Sequence, residues 1–348
     1  MHFLLINDEF TVTGASTMFF QLAQHLVASG HQITITPIGK GDGPMRERFA
    51  SLGPIATSVD LKQFDGAIGN TICAAPAVIH LGKTLPTIWW LHESEVGLNF
   101  LLKNQASIGA FDAAAAVIFQ TEFQRDSVYR SFTYRRNPAE LPVIPYGVAL
   151  PEKFDRARVT PKRRAVRIVS VGSVQPRKRH YDLIQAVSLL PPDQVECVIV
   201  GKWFTLPEDA QDTVRKNKHQ FHFTDEVLPT EAVAWIESCD IFCLCSASES
   251  FPIAPLEAAL LGKPIVLSDL HCYHTAYEHG RSYLFFPVGN IPLLTMSIQL
   301  LLDHPQLREQ LGDAARRTAI SYTPEAFFAR FDALLAWVIS LGAAHHRR

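Results

Sequence analysis

Two glutamates eight residues apart, Glu249 and Glu257, are the first candidates for chemistry. Pro255 suits a first helical turn, and Gly262 ends the apolar run that follows it, so the pattern predicts a short helix. Glu249 then lies on the loop before this helix and Glu257 in its first turn. A helix N-terminus attracts phosphate, a carboxylate can accept hydrogen bonds from both ribose hydroxyls, and the loop carboxylate can reach a sugar beyond a diphosphate. The alternative stays open at this point: Glu249 is an ordinary loop residue, and Glu257 is an acid favoured near a helix N-terminus by the helix dipole, without a ligand for either.

A basic turn is the second candidate. Arg177 and Lys178 lie between the strand-like run RIVSVGS and the helix-like run YDLIQAVSLL, and Gly172 allows a tight exit from the strand. Basic side chains at the start of a helix can neutralise a diphosphate. The pattern therefore predicts a phosphate-binding turn after this strand.

Strand-like and helix-like runs alternate from the beginning of the chain. HFLLI and QITITPI flank an amphipathic helical run that ends at Gly30. This alternation predicts an α/β fold with doubly wound parallel sheets. Ligands of such sheets bind at the carboxyl ends of the strands.

Two candidates in the first half follow predicted strands. Gly14 permits a close backbone approach, and Ser16 or Thr17 is expected to cap the helix after it. His92 follows the apolar run PTIWWL, so it lies at the carboxyl end of a strand. A histidine there is commonly a surface or capping residue, but its position also suits a ligand contact.

Length and composition indicate two domains. A chain of 348 residues exceeds one typical core. We expect a first domain over 1–150, a linker rich in proline and charge, and a second domain over 165–320.

Charge, hydropathy and cysteine usage exclude several classes of protein. The net charge of −2 gives no support for a nucleic-acid partner, and no apolar run is long enough to span a membrane. The first ten residues resemble a strand more than a signal peptide. None of the six cysteines forms a C-x-x-C pair, so we expect reduced core thiols in a cytoplasmic protein. His271, Cys272, His274 and His279 fit no zinc template, and no metal site is predicted.

The stretch around the two glutamates resembles the E-x7-E signature of retaining glycosyltransferases of family 4, where Ser250 and Pro252 here replace glycines. The matching residues are Ser248, Glu249, Phe251, Leu256, Glu257, Ala258, Gly262 and Pro264. Gly172 and Lys178 match a second element of that family, but Ser173 replaces its arginine. The turn VIPYGVAL resembles a third, with Tyr146 in place of asparagine.

This resemblance implies the GT-B fold, in which two Rossmann-like domains face a central cleft, and a last helix, about 324–341, that packs back on the first domain. It implies metal-independent transfer of a sugar from a UDP- or GDP-linked donor to a hydroxyl of a glycan, a lipid-linked saccharide or a small molecule. No cofactor is expected beyond this co-substrate.

The resemblance also assigns roles. Glu249, His92 and Lys178 are the expected catalytic residues, with His92 contacting the transferred sugar. The backbone near Thr224 and Glu226 is expected to hold the base, and Arg177 to supply charge that Ser173 cannot. The expected donor-binding residues are Gly14, Gly172, Ser173, Arg177, Lys178, Thr224, Glu226, Phe251, Pro252, Ile253, Ala254 and Glu257.

Two alternatives remain on the sequence. A nucleotide-sugar epimerase would use a similar pocket without an acceptor, and a non-catalytic binding subunit would be consistent with Ser173. Peripheral association with the inner membrane face is conceivable, but residues 1–150 contain ten Lys or Arg against twelve acids, so charge does not support it.

Overall fold

The computed structural model describes residues 1–39, 41–161 and 166–345, and the chain forms two compact units. The first unit comprises Met1–Gly147 together with the chain from Pro324 onward, and the second comprises Val148–Thr323. The expected start of the second domain, at residue 165, lies outside the described residues.

The first unit contains a five-stranded parallel sheet with the order β2-β1-β3-β4-β5. Its strands are β1 (His2–Asn7), β2 (Gln32–Pro37), β3 (Gly66–Asn70), β4 (Thr87–Trp90) and β5 (Ala116–Ile118). Its first six helices are α1 (Gly14–Ala28), α2 (Arg46–Ala50), α3 (Ala75–Leu81), α4 (Glu95–Lys103), α5 (Ala110–Ala113) and α6 (Arg130–Thr133). Short 3-10 or π turns lie at Leu61–Gln63, Ile72–Ala74, Gln105–Gly109, Gln124–Val128 and Pro138–Glu140.

Helix α1 begins about one turn earlier than a cap at Ser16 or Thr17 would allow. Its N-cap is Thr13, whose hydroxyl oxygen accepts a hydrogen bond from the Ser16 amide at 3.3 Å. The prediction of Ser16 or Thr17 as cap is therefore wrong, because Thr13 has the extended backbone that an N-cap needs. Met18, Phe19 and Leu22 are among the side chains with which α1 covers the sheet.

The second unit contains a six-stranded parallel sheet with the order β11-β10-β9-β6-β7-β8. Its strands are β6 (Val166–Val171), β7 (Val195–Val200), β8 (Phe221–Phe223), β9 (Ile241–Leu244), β10 (Ile265–Ser268) and β11 (Leu284–Phe286). Its helices are α7 (His180–Ser188), α8 (Glu208–Lys216), α9 (Pro229–Ser238), α10 (Ile253–Leu260), α11 (Ile291–Asp303) and α12 (Pro305–Ala319). Short 3-10 turns lie at Pro176–Lys178 and His271–Tyr273.

The last helix, α13 (Pro324–His345), belongs to the first unit. The ring of Phe327 stacks on Trp90 with centroids 5.2 Å apart, and that of Phe328 stacks on His25 at 4.0 Å. Trp90 is fully buried. Among the described residues no helix is long and apolar enough to cross a bilayer.

The strand order places a switch point in each sheet. In the second unit the chain runs outward from β6 through β7 to β8, and then returns to the other side of β6 with β9. The connections after β6 and β9 therefore diverge and leave a crevice at the carboxyl ends of these two strands, where doubly wound sheets bind ligands. β1 and β3 form the equivalent pair in the first unit.

Candidate functional site

A partly buried ion pair lies at the switch point of the second sheet. Lys178 follows β6 and Glu249 follows β9, and the lysine Nζ donates a hydrogen bond to Glu249 Oε1 at 2.5 Å. Arg177 Nη1 lies 3.2 Å from the other carboxylate oxygen, Oε2. Both cations come from the 3-10 turn Pro176–Lys178, so this turn directs two positive charges at one carboxylate.

Backbone contacts fix the turn against the Glu249 loop. Arg177 Nη1 donates to the Ser248 carbonyl at 2.7 Å, and the Ala247 amide donates to the Arg177 carbonyl at 2.8 Å. These bonds hold the loop after β9 in register with the turn after β6. The position of Glu249 therefore depends on the turn as much as on its own loop.

The environment keeps Glu249 ionised. Burial alone raises the pKa of this carboxyl, but the charges of Lys178 and Arg177, with hydrogen bonds from Lys178 and Ser246, outweigh burial and lower the pKa below its ordinary value. Ser246 Oγ donates to Glu249 Oε1 at 2.5 Å. Nothing in the sequence assigned a role to Ser246, although its position three residues before Glu249 in the same loop was a usable signal.

Gly172 makes room for Lys178. Its φ of +153° lies in a region that favours glycine, and a Cβ there would lie 3.2 Å from Lys178 Cε. A Cβ on Gly201, at the end of β7, would lie 2.5 Å from the Gly172 carbonyl oxygen and 3.2 Å from the Ser173 nitrogen. The backbones at the ends of β6 and β7 thus pack against each other, and the side chain of Lys178 lies over Gly172 at the end of β6.

Helix α10 presents its N-terminus beside this loop. Its N-cap is Pro252, and the amides of Ile253 and Ala254 find no acceptor among the described residues. Because the helix begins two residues before Pro255, Glu257 lies in the second turn, and the prediction of the first turn is wrong. Pro255 remains in the first turn, where its missing N–H costs nothing.

Glu257 differs from Glu249 in having no partner. Within the described ranges its carboxylate makes no hydrogen bond or salt bridge, and burial raises its pKa to about 7. A partly buried acceptor without a donor is available for hydroxyl groups of a ligand. The two glutamates therefore differ in charge state near neutral pH, one ionised and one poised between its two forms.

The expected base-binding segment follows β8. Asp225 has a left-handed φ of +62° and its carboxylate accepts hydrogen bonds from the amides of Glu226 at 2.9 Å and Trp203 at 3.3 Å. The Thr224 hydroxyl donates to the Asp225 carbonyl at 2.9 Å, and the Thr224 carbonyl accepts from Arg158 Nη2 at 2.9 Å. These bonds hold the segment in a fixed turn.

Two further residues near the ion pair are buried. Phe251 is 4% exposed and packs on Tyr322 with ring centroids 5.3 Å apart, so its side chain belongs to the core. His180, which the sequence did not single out, is 2% exposed, and neither ring nitrogen has a partner in the part of the chain described. Burial, with the charge of Lys178, lowers the pKa of His180 to about 3 and keeps it neutral.

Two predicted residues belong to the first unit. Gly14 is the exposed first residue of α1, and His92 follows β4. His92 is 9% exposed, and its ring is hydrogen-bonded through Nδ1 to the Tyr146 hydroxyl and lies against Trp90 with centroids 4.5 Å apart. The predicted residues after β6 and β9 thus lie at the switch point of the second sheet, whereas Thr224 and Glu226 follow the edge strand β8. His92 and Gly14 belong to the first unit.

The histidines after β10 form no metal cluster. His274 Nε2 is hydrogen-bonded to Asp269 Oδ1 at 2.6 Å, and His279 Nδ1 accepts from the Phe285 amide at 2.9 Å. No group of three potential metal ligands occurs in residues 1–39, 41–161 and 166–345.

The chain is similar to several known glycosyltransferases. Residues 152–318 match the family model of glycosyl transferases group 1. An α-1,3-N-acetylgalactosaminyltransferase of Campylobacter jejuni, which acts on N,N'-diacetylbacillosaminyl-diphospho-undecaprenol, is 34% identical over 102 residues, 29% of this chain and 27% of that protein. D-inositol 3-phosphate glycosyltransferase of Jonesia denitrificans is 28% identical over 240 residues, 61% of this chain and 54% of that protein. The matches thus span about half or less of these relatives.

The fold is shared along almost the whole chain. HepE of Anabaena, in a complex with UDP and glucose, superimposes with a TM-score of 0.82 at 16% identity, over 97% of this chain and 99% of that one. This likeness, with the two parallel-sheet units, confirms the predicted GT-B fold.

Proposed function

We propose that this chain is a retaining, metal-independent glycosyltransferase that moves a sugar from a UDP- or GDP-linked donor to an acceptor hydroxyl. One observation carries the proposal. Two cations, Arg177 and Lys178, converge on the partly buried carboxylate of Glu249 beside a helix N-terminus, at the switch point of a sheet whose unit matches glycosyl transferases group 1. The named relatives are transferases, which favours transfer over an epimerase or a binding subunit.

Lys178 and Arg177 are suited to the donor diphosphate. As the bond from the anomeric carbon to the β-phosphate oxygen breaks, its electron pair leaves with the diphosphate, and fixed cations stabilise that charge. The free amides of Ile253 and Ala254 add the positive end of the α10 dipole. Arg177 thereby supplies charge that Ser173 cannot.

Glu257 is proposed to hold the ribose. An unpartnered carboxylate in the second turn of α10 can accept hydrogen bonds from both ribose hydroxyls. Such bonds favour the ionised form, so donor binding is expected to lower the raised pKa of Glu257. The fixed turn at Thr224 and Glu226 is proposed to read the base through its backbone.

Glu249 is proposed to orient the donor sugar. The acceptor oxygen forms the new bond at the anomeric carbon, and its proton is released. An ionised Glu249, held by Lys178 and Ser246, accepts hydrogen bonds from sugar hydroxyls and places the anomeric carbon for attack. His92 is proposed to contact the same sugar, and the amides after Gly14 to approach the phosphates.

The acceptor is proposed to be a hydroxyl of a glycan, a lipid-linked saccharide or a small molecule such as a phosphorylated polyol. The names of the relatives support this range, since one acts on a lipid-linked saccharide and the other on inositol 3-phosphate. A panel of such acceptors incubated with labelled donor identifies which of them accepts the sugar.

A turnover assay with a matched variant tests the proposal. Release of UDP from UDP-glucose, or of GDP from GDP-mannose, is measured with and without acceptor for the wild type, Lys178→Ala and Lys218→Ala. Lys218 is an exposed lysine of the same unit and serves as the control. We expect Lys178→Ala to lower kcat by about 10²–10³-fold and Lys218→Ala to leave it unchanged. A donor that binds but is never cleaved would indicate a binding subunit, and isomerised donor without acceptor an epimerase.

A further inference from the structure

The His92 ring is held on two sides within the first unit. Its Nδ1 and the Tyr146 hydroxyl are hydrogen-bonded, and the two rings stack with centroids 5.7 Å apart. Trp90 covers another side, and Phe327 of α13 packs on Trp90 in turn. A ring packed this way has one orientation, which is the requirement for a group that must present a single atom to a ligand.

The second ring nitrogen is left without a partner. His92 is 9% exposed, and its Nε2 makes no hydrogen bond with any residue in the described ranges. Buried polar atoms in proteins are nearly always paired, so an unpaired one needs a physical reason, and a ligand contact is one such reason. Tyr146 is itself buried, at 5% exposure, so the hydrogen bond between the two rings is shielded from competing water.

The chemistry of the two groups sets the direction of their hydrogen bond. The phenol O–H is a stronger acid than a neutral imidazole N–H, and the imine nitrogen is a better acceptor than a phenol oxygen. The hydroxyl therefore donates to Nδ1, which leaves the proton of the neutral ring on Nε2. Nε2–H is then a fixed donor rather than an acceptor or a base.

We propose that Tyr146 is a positioning residue that fixes His92 in the Nε2–H tautomer, so that the imidazole donates a hydrogen bond to a hydroxyl of the transferred sugar. The sugar as ligand rests on the proposed transfer, but the tautomer does not. Tyr146 occupies the place of an asparagine in the family that the sequence resembles, and a phenol differs from an amide in its preference to donate to an imine nitrogen. The pair thus gives this chain its own means of setting the tautomer.

Nitrogen NMR of histidine tests the tautomer independently of activity. The protein is labelled with ¹⁵N-histidine, and long-range ¹H–¹⁵N spectra are recorded at pH 7 for the wild type and for Tyr146→Phe, with His92→Gln used to assign the signals. We expect a pyridine-type Nδ1 and a protonated Nε2 in the wild type, and a mixture of tautomers in Tyr146→Phe. A protonated Nδ1 in the wild type, or an unchanged tautomer in Tyr146→Phe, overturns the proposal.

Steady-state kinetics test the consequence for transfer. Tyr134, which is 58% exposed in the same unit, offers a matched Tyr→Phe control. Tyr146→Phe is expected to lower kcat about tenfold with KM for the donor changed less than twofold, since the ring stays in place and only its hydrogen bond is lost. Equal kinetics for Tyr146→Phe and Tyr134→Phe contradict the positioning role. A wild type with the expected tautomer but no turnover refutes the sugar as ligand, and with it the proposed function.

Discussion

Replacing Glu257 with glutamine is expected to stabilise the free protein at alkaline pH. Burial raises the pKa of this carboxyl from 4.5 to about 7 in the folded chain. The folded state therefore binds more protons than the unfolded state between these pH values, and stability falls as pH rises through that window. Glutamine has the same shape and no charge, so it removes this loss.

The size of the effect follows from the shift. Each pKa unit corresponds to about 1.4 kcal/mol, so full ionisation costs the folded state at most about 3 kcal/mol. The side chain is only partly buried, and solvent reduces the penalty to about 2 kcal/mol. For a unit of this size that amounts to a rise of about 4–8 °C in Tm at pH 8, and of almost nothing near pH 4.

Thermal unfolding of Glu257→Gln and of Glu309→Gln across this pH range measures the effect. Glu309 is an exposed acid of α12 in the same unit, and its replacement should change Tm little at any pH. If Glu257→Gln has the same Tm advantage at pH 4 as at pH 8, or none at either, the assignment of an unpartnered, poised carboxylate is refuted.

Glu257→Gln is expected to weaken donor binding, although it stabilises the free protein. Ribose hydroxyls that donate to Glu257 favour its charged form, so binding of a UDP-sugar at pH 7 should release about half a proton from a group with a pKa near 7. Calorimetry in two buffers of different ionisation enthalpy measures this release. Glu257→Gln should release none, and should bind about 10–100-fold more weakly because hydrogen bonds to a charged acceptor are lost. Equal proton release in both proteins contradicts a ribose contact at Glu257.

Three further predictions concern charge and metal. Lys178→Met should destabilise the second unit by about 3 kcal/mol at pH 7 and by less near pH 3. Because the pKa of Glu249 is lowered in the folded state, the ion pair stabilises the fold above about pH 4.5, and this stabilisation is lost as the pH falls. Urea unfolding at both pH values measures the difference. Sugar transfer should be unchanged by excess EDTA in the standard assay, since Lys178 and Arg177 supply the positive charge, and a loss restored by Mg²⁺ contradicts this role. Arg167→Leu should lower the free energy of unfolding in urea by about 3–5 kcal/mol, because Arg167 is 1% exposed and its Nε lies 2.6 Å from Glu196 Oε1. A loss below 1 kcal/mol would show that this pair does not stabilise the fold.

Local patterns in the sequence predicted the fold and the order of its elements. Short apolar runs alternate along the chain with segments of helical periodicity, because buried strands and half-buried helices need these patterns. Both parallel sheets could therefore be predicted. The first residues of two helices were predicted wrongly. Pro252 and Pro255 both suit the start of a helix, and the structure uses the first as N-cap, which moves Glu257 from the first turn to the second. Thr13 takes the capping role expected of Ser16 or Thr17 for a similar reason.

The contacts that make the candidate site depend on tertiary structure. Lys178 and Glu249 are 71 residues apart, and they meet only because β9 returns to the side of β6. Sequence alone suggested both as donor-site residues but gave no reason to pair them. The burial of His180 beside the pair depends on the packing of α7, which no pattern of neighbouring residues specifies. The contact of His92 with Tyr146, 54 residues later, is of the same kind.

Calorimetric binding of UDP, GDP and ADP to the wild type, Lys178→Ala and Lys218→Ala shows whether the ion pair at the second switch point receives a nucleotide diphosphate. We expect UDP or GDP to bind the wild type, Lys178→Ala to weaken this binding at least tenfold, and Lys218→Ala to leave it unchanged. Absence of binding by all three nucleotides, or equal binding to the wild type and Lys178→Ala, would contradict this expectation.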